Sequence, residues 1–150
     1  MKRVVLLLLP FTAACASLPG AGSEPGAVSP TAAIQQFLDG AKRKDLSAMA
    51  AVWGTESGPA SKSIPRKELE RRELIMMQCM AHEKAVVGAS GPGEGGRLKV
   101  PVTLTAGPRS ASPMFTVVKG PKNRWFVENL DLDQLRDQGF CTTSLPQSKP

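Results

Sequence analysis

The segment PRKELERRELIMMQCMAHEKAVVGAS, residues 65–90, contains the point at which the chain changes from helical to strand periodicity. Before His82, the apolar residues Leu69, Met76 and Met80 recur at intervals that place them on one face of a helix. After His82, the residues EKAVVGAS favour an extended strand. We therefore predict a long helix that begins near residues 64–65 and is followed directly by the first strand of a sheet.

Two shorter helices are predicted before this segment. A serine and a proline at positions 29–30 form a typical helix start. The apolar positions that follow lie on a single helical stripe: Ile34, Phe37, Leu38 and Ala41. Asp45 can cap a second helix, which Gly54 would end. Its apolar positions are Leu46, Met49, Val52 and Trp53.

Three further strands are predicted after the first one, separated by turn-forming residues. They are RLKVPVTLT (97–105), MFTVVK (114–119) and RWFVENLD (124–131), and the first of them alternates apolar and polar residues. Pro101 has no backbone N–H to donate, so its strand is expected to be an edge strand or to be bulged there. The residues LDQLRDQGFC (132–141) favour a short terminal helix.

Three helices followed by an antiparallel meander of about four strands is an α+β arrangement. We expect the helices to cover one face of a curved, cone-shaped sheet. The predicted organisation is a signal peptide at 1–14, a flexible tether at 15–29, one α+β domain at 30–141 and a disordered tail at 142–150.

The first 14 residues have the layout of a secretory signal peptide. Lys2 and Arg3 precede an unbroken apolar run at 4–9, and small residues follow. The run is too short to cross a membrane, which takes about 20 apolar residues. The residues TAAC (12–15) resemble the bacterial lipobox, which implies diacylation of Cys15, with chains such as palmitate, and a membrane lipoprotein facing the periplasm or the cell exterior. Cleavage before Ser17 by ordinary signal peptidase, giving a soluble secreted protein, is the alternative.

The cysteine count agrees with export. The chain has three cysteines, and an odd number in an exported protein leaves one thiol over. With Cys15 acylated or removed, Cys79 and Cys141 can form a disulfide in an oxidising compartment. Two unrelated buried thiols are the alternative.

Composition excludes several functions. The formal net charge is +6, but no aromatic residues interleave with the basic clusters, and export also argues against nucleic acid as a partner. Attraction to anionic headgroups or an acidic envelope polymer is an alternative to interpreting these clusters as solvated surface. Two isolated cysteines and one histidine lack metal-ligand spacing, and the glycines of GPGEGG (91–96) lie between two strands. We predict no metal and no cofactor.

The order of elements resembles the nuclear transport factor 2-like (cystatin-like, SnoaL-like) superfamily, particularly its small exported bacterial members. AIQQFLDGAKRKDLSAMAAVWG (33–54) and RWFVENLD (124–131) carry the resemblance, which spans roughly residues 30–141. It implies that the helix in PRKELERRELIMMQCM (65–80) lies across the sheet. It also implies a homodimer through the sheet face.

Enzymes of this superfamily use an Asp or His base, often with a Tyr donor, inside the cone. The resemblance therefore names Asp39 and His82 as candidate bases, although this chain has no Tyr. We predict a non-catalytic, membrane-tethered module that binds a small apolar ligand or an envelope protein. An isomerase- or dehydratase-like enzyme of the cone type is the alternative. The residues predicted to line a pocket, with core packing as the alternative interpretation, are Phe37, Trp53, Met76 and Trp125.

Overall fold

Four helices and eight strands are formed within residues 24–141, the part of the chain that the computed structural model describes. The helices are Pro30–Arg43 (α1), Leu46–Val52 (α2), Arg66–Cys79 (α3) and Leu132–Asp137 (α4). The strands are Gly54–Thr55 (β1), Gly58–Pro59 (β2), Lys84–Val87 (β3), Gly91–Pro92 (β4), Leu98–Ala106 (β5), Arg109–Ala111 (β6), Met114–Lys119 (β7) and Trp125–Leu130 (β8). The predicted α+β class is confirmed. The predicted signal peptide, Cys15 and the predicted tail lie outside the described residues.

Helices α1, α2 and α4 begin at side chains that accept hydrogen bonds from the free N–H groups of the first turn, whereas α3 follows Pro65 without such a cap. Ser29 Oγ accepts from the N–H of Ala32 at 3.1 Å, ahead of Pro30. Asp45 and Asp131 cap α2 and α4 in the same way, each at 3.0 Å. These caps satisfy backbone donors that have no partner within the helix, so the chain starts each capped helix at a defined residue.

The main sheet is an antiparallel meander in the order β3-β5-β7-β8. Strand β4 pairs with β5 on the same side as β3, and β6 pairs with β5 on the same side as β7. Strand β4 lies within the glycine-rich residues 91–96, which were expected to form a loop. Two further differences from the prediction are the β1–β2 hairpin, expected to be loop, and β6, expected to belong to a turn.

Pro101 accounts for the break in pairing between β3 and β4, while Pro113, which also lacks an N–H, lies at the break between β6 and β7. Strand β5 lies in the middle of the sheet, so the prediction that it is an edge strand is wrong. The carbonyl oxygen of Pro101 accepts a hydrogen bond from Gly88 at 2.8 Å, but Pro101 has no N–H to complete the pair. The irregularity predicted for β5 appears instead in its partners, at 88–90 and 112–113.

Helix α1 covers the inner face of the sheet, where it packs against β3, β7 and β8. Its predicted stripe is buried, and Phe37 makes an edge-on contact with Phe115 of β7, with ring centroids 6.4 Å apart. Helix α3 packs against α1, α2 and α4 instead. The expectation that α3 lies across the sheet is therefore wrong, because the wholly apolar stripe of α1 takes that position.

The N-terminal end of the described chain is part of the domain. Ala27 is fully buried and exchanges two backbone hydrogen bonds with Trp125, each of 2.8 Å, which covers the outer edge of β8. Gly26 has φ +87°, and a Cβ there would lie 2.7 Å from the ring of Phe126. The predicted boundary at residue 30 is thus several residues late, because this Gly-Ala pair packs against the sheet.

A disulfide joins the end of α3 to the end of the described chain. It links Cys79 and Cys141, whose Cα atoms are 4.0 Å apart and which are separated by 62 positions in the sequence. Helix α4 lies just before Cys141 and packs on α3. The bond therefore closes a long loop that contains the whole sheet.

Candidate functional site

A cleft of about 430 Å³ lies between α1 and the edge strand β3, and we call it the α1–β3 cleft. Its lining residues come from one helix, the α3–β3 connection and one strand: Gln35, Leu38, Asp39, Lys42, His82, Glu83, Lys84, Ala85 and Val87. Both candidate bases named from the sequence, Asp39 and His82, are among them. The fold brings these two residues together although they are far apart in the sequence.

A hydrogen bond joins two of the elements that line this cleft. Lys42, in the last turn of α1, donates from Nζ to the carbonyl oxygen of Glu83 at 2.8 Å. This bond satisfies a backbone acceptor just before β3 begins. Asp39 and Glu83, which are both exposed, also line the cleft.

His82 is half-buried in the connection between α3 and β3, as its sequence position predicted. Its Nδ1 lies 2.7 Å from the carbonyl oxygen of Met80. A carbonyl oxygen only accepts, so Nδ1 carries the hydrogen and Nε2 is the nitrogen with the free lone pair in the neutral ring.

The residues predicted to line a pocket occupy different surroundings. Phe37 and Met76 lie in the core, with 0% and 7% of their surface exposed. Trp53 and Trp125 are half-buried, Trp125 as the first residue of β8 and Trp53 paired with Val127 of the same strand. None of the four lines the α1–β3 cleft or the second cleft described next. The pocket therefore stays a prediction.

A second, smaller cleft of about 140 Å³ lies where the described chain begins, and we call it the N-terminal cleft. It is lined by three prolines, three basic residues, Glu24, Gly58 and Phe126; the prolines are Pro25, Pro59 and Pro121, and the basic residues are Lys62, Lys122 and Arg124. Lys122 forms a salt bridge with Glu24, and its hydrogen bond holds the pKa of that carboxyl below the usual value. Arg124 donates to the carbonyl oxygen of Gly26 at 2.6 Å.

The burial of one acidic residue was not predicted from the sequence. Glu73 of α3 is 1% exposed, and its Oε1 has no hydrogen-bond partner in the described part of the protein. Burial, with a contribution from the nearby Glu70 carboxylate, raises the pKa of Glu73 to about 7. Its position indicated this burial, since Glu73 is four residues after Leu69 and three before Met76, on the predicted apolar stripe. Glu73 lines neither cleft.

Two further features concern residues 24–141 only. Within this range, no three His, Cys, Asp or Glu side chains come together as metal ligands would. None of its helices combines the length and the apolar character that a membrane span requires.

Comparison with known proteins gives little information. No protein-family model matches the chain, and no curated protein matches it. One similar solved structure is that of an LEH-like epoxide hydrolase from M. tuberculosis, with 16% sequence identity. The match covers 71% of this chain and 85% of the other, with a TM-score of 0.32. A likeness of this size assigns neither a family nor an activity.

Proposed function

We propose that the protein is an exported envelope lipoprotein whose Cys15 carries the membrane anchor and whose folded domain is a non-catalytic binding module. The sequence before the domain supports the anchor, because an apolar run and small residues precede Cys15. The mature protein would face the periplasm or the cell exterior. Mass analysis of the protein extracted from membranes tests the anchor, since a free N-terminus at Ser17 without acyl mass contradicts it.

The observation that carries the non-catalytic assignment is the filled interior between α1 and the sheet. The side chains there are 0–1% exposed: Ile34, Phe37, Val100, Val102, Leu104 and Phe115. A substrate inside the sheet would have to displace this close-packed core, which costs several kcal/mol for each large side chain removed. Binding is therefore assigned to outer surfaces of the domain.

The outer face of the sheet is the surface best suited to a protein partner, and we infer that it binds a second copy of the chain. Val86 of β3 is 51% exposed and pairs with Thr103 of β5. Met114 of β7 is 40% exposed and pairs with Pro101 of β5. All four side chains lie on the face opposite the buried Val102. Lys84 and Lys99 lie on the same face, two residues from Val86 and from Pro101 along their strands, so the apolar contact between two copies is confined to the area around Val86 and Met114.

Sedimentation equilibrium tests this inference. The purified protein is expected to dimerise, and Val86→Lys and Met114→Lys are expected to weaken the dimer by placing like charges opposite each other. Leu74→Lys is the matched control, because Leu74 is also an exposed apolar residue, on α3. A monomer at all concentrations, or equal weakening by Leu74→Lys, contradicts the inference.

A cone-type isomerase- or dehydratase-like enzyme is the second candidate, and one observation favours it. Asp39 and His82 line the same cleft together with Lys42, which is a plausible acid–base set. The cleft is outside the core, open to solvent, and within reach of a polar substrate. The variants Asp39→Asn and His82→Ala separate this candidate from the binding module, because only an enzyme that uses these groups would lose activity in them.

A further inference from the structure

We propose that a basic face around the N-terminal cleft docks the domain onto the anionic lipid headgroups of the membrane that holds Cys15. The basic face consists of Lys62, Lys119, Lys122 and Arg124. This inference rests on the proposed lipid anchor. The docking would fix how the anchored domain is oriented, because only one side of the domain would face the bilayer.

The length of chain between the anchor and the domain supports this orientation. Glu24 lies nine residues after Cys15, and nine residues span at most about 30 Å when fully extended. Glu24 forms a salt bridge with Lys122, so the chain enters the domain on the basic face itself. The basic face therefore cannot move far from the headgroups of the anchored protein.

The turn between β7 and β8 presents the cations of this face. Lys122 and Asn123 both have left-handed backbone conformations, with φ +56° and +58°, which asparagine adopts readily but which are unfavourable for lysine. The turn is closed by a hydrogen bond of 2.8 Å from the N–H of Gly120 to the carbonyl oxygen of Arg124. Lysine is thus kept at a position where glycine would be less strained, which suggests a use for its charge.

Apolar and aromatic groups lie beside these cations. Lys119 Nζ is 5.9 Å from the centre of the half-buried Trp125 ring. Val28 is 74% exposed and directly follows Ala27, whose backbone pairs with Trp125. Tryptophan next to basic residues is a typical combination at a membrane–water interface, where the ring contacts the acyl boundary and the cations contact phosphate groups.

The charge balance of the face favours an anionic surface. The N-terminal cleft has one carboxylate, Glu24, against three cations, and Lys122 already neutralises that carboxylate. Lys62, Lys122 and Arg124 line the cleft, and Lys119 lies outside it, on the face of the sheet opposite Phe126, so the cations extend over the edge of the sheet and match an extended layer of headgroups better than a single small anion. Each basic group near such a layer adds a separate, salt-sensitive attraction.

Tryptophan quenching by brominated lipids tests the docking on the acylated full-length mature protein inserted in vesicles. Trp53→Phe leaves Trp125 as the only one of the two tryptophans. The ratio of Trp125 fluorescence in brominated and unbrominated lipid is compared between vesicles that contain phosphatidylglycerol and vesicles of phosphatidylcholine alone. We expect quenching only in the anionic vesicles, with the docked population reduced on the order of tenfold in the variant Lys62→Gln, Lys119→Gln, Lys122→Gln.

A matched control removes the same charge from another part of the surface. Arg43→Gln, Lys44→Gln and Lys67→Gln change three exposed residues that lie outside both clefts, and they should leave the quenching unchanged. Equal quenching in neutral and anionic vesicles, or equal loss in the two triple variants, overturns the docking while the anchor stands. Failure of the protein to carry an acyl group overturns the anchor instead. If Trp53→Phe unfolds, hydrogen exchange of residues 119–126 in the two kinds of vesicle gives the same comparison without that substitution.

Discussion

Gly88 and Pro101 meet across the β3–β5 ladder so closely that a Cβ on Gly88 would lie 2.9 Å from Pro101 Cγ and 3.0 Å from its carbonyl oxygen. Both atoms are fixed, one by the proline ring and one by the backbone. The carbonyl oxygen is already bonded to the N–H of Gly88. The two residues thus form one unit, in which the glycine makes room for a proline in a central strand.

Gly88→Ala is expected to lower the free energy of unfolding by about 1–3 kcal/mol, because the added methyl group overpacks this contact. Urea denaturation followed by circular dichroism measures the change. Gly91→Ala is the control, since its Cβ would meet no atom closer than Lys99 O at 4.0 Å. Equal effects of the two substitutions would show that the contact with Pro101 is not the cause.

Removal of the disulfide is expected to destabilise the domain by about 2–4 kcal/mol, mainly because the unfolded chain loses the constraint of a long closed loop. Cys141→Ser tests this, since Cys141 is half-buried while Cys79 is 2% exposed and would add a packing effect. A reductant should lower the melting temperature of the unaltered protein and leave that of Cys141→Ser unchanged. No shift in the unaltered protein would mean that the bond contributes nothing to stability.

Asp39→Asn and His82→Ala are expected to leave the cellular function within about tenfold of the unaltered level, because the proposed module does not transfer protons. Complementation of a deletion strain measures it, with protein level and melting temperature as checks on folding. An enzyme that uses either group as acid or base would lose about 10²–10⁴ in rate. A loss of that size at unchanged stability would establish the α1–β3 cleft as an active site.

Local chemistry made much of this fold predictable. The stripe of α1 and the caps at Ser29 and Asp45 depend on residues that are close in sequence, so the helices begin as expected. The place of Pro101 was not predictable, because it depends on how Gly88 on a neighbouring strand accommodates the ring. The same holds for Ala27, which pairs with Trp125 from the other end of the chain.

The candidate site was predictable only as separate residues. Asp39 and His82 were chosen by residue type, and the packing of α1 against β3 determines that they share a cleft. The helix that covers the sheet was misassigned, since the family resemblance implied that α3 covers it while the uninterrupted apolar stripe belongs to α1. The charged residue within the stripe of α3 was the overlooked signal.

Glu73 should make the stability of the domain depend on pH. Its pKa is about 7 in the folded protein against an ordinary value of 4.5, so between these pH values the folded state binds more protons than the unfolded state. The free energy of unfolding therefore falls as pH rises from about 4.5 to 7. The full loss, at most about 3 kcal/mol, is reached above the folded pKa.

Glu73→Gln is expected to remove this dependence, because an amide of nearly the same shape stays neutral at every pH. Urea denaturation at pH 5 and pH 8 should show little change at the lower pH and a gain of about 1–3 kcal/mol at the higher one. Glu94→Gln, at an exposed position in the β4–β5 turn, is the control for loss of one negative charge and should show no such difference. If Glu73→Gln is equally stabilising at both pH values, the carboxyl is not protonated in the core, and if it is destabilising at pH 8, the carboxylate has a partner that stabilises its charge.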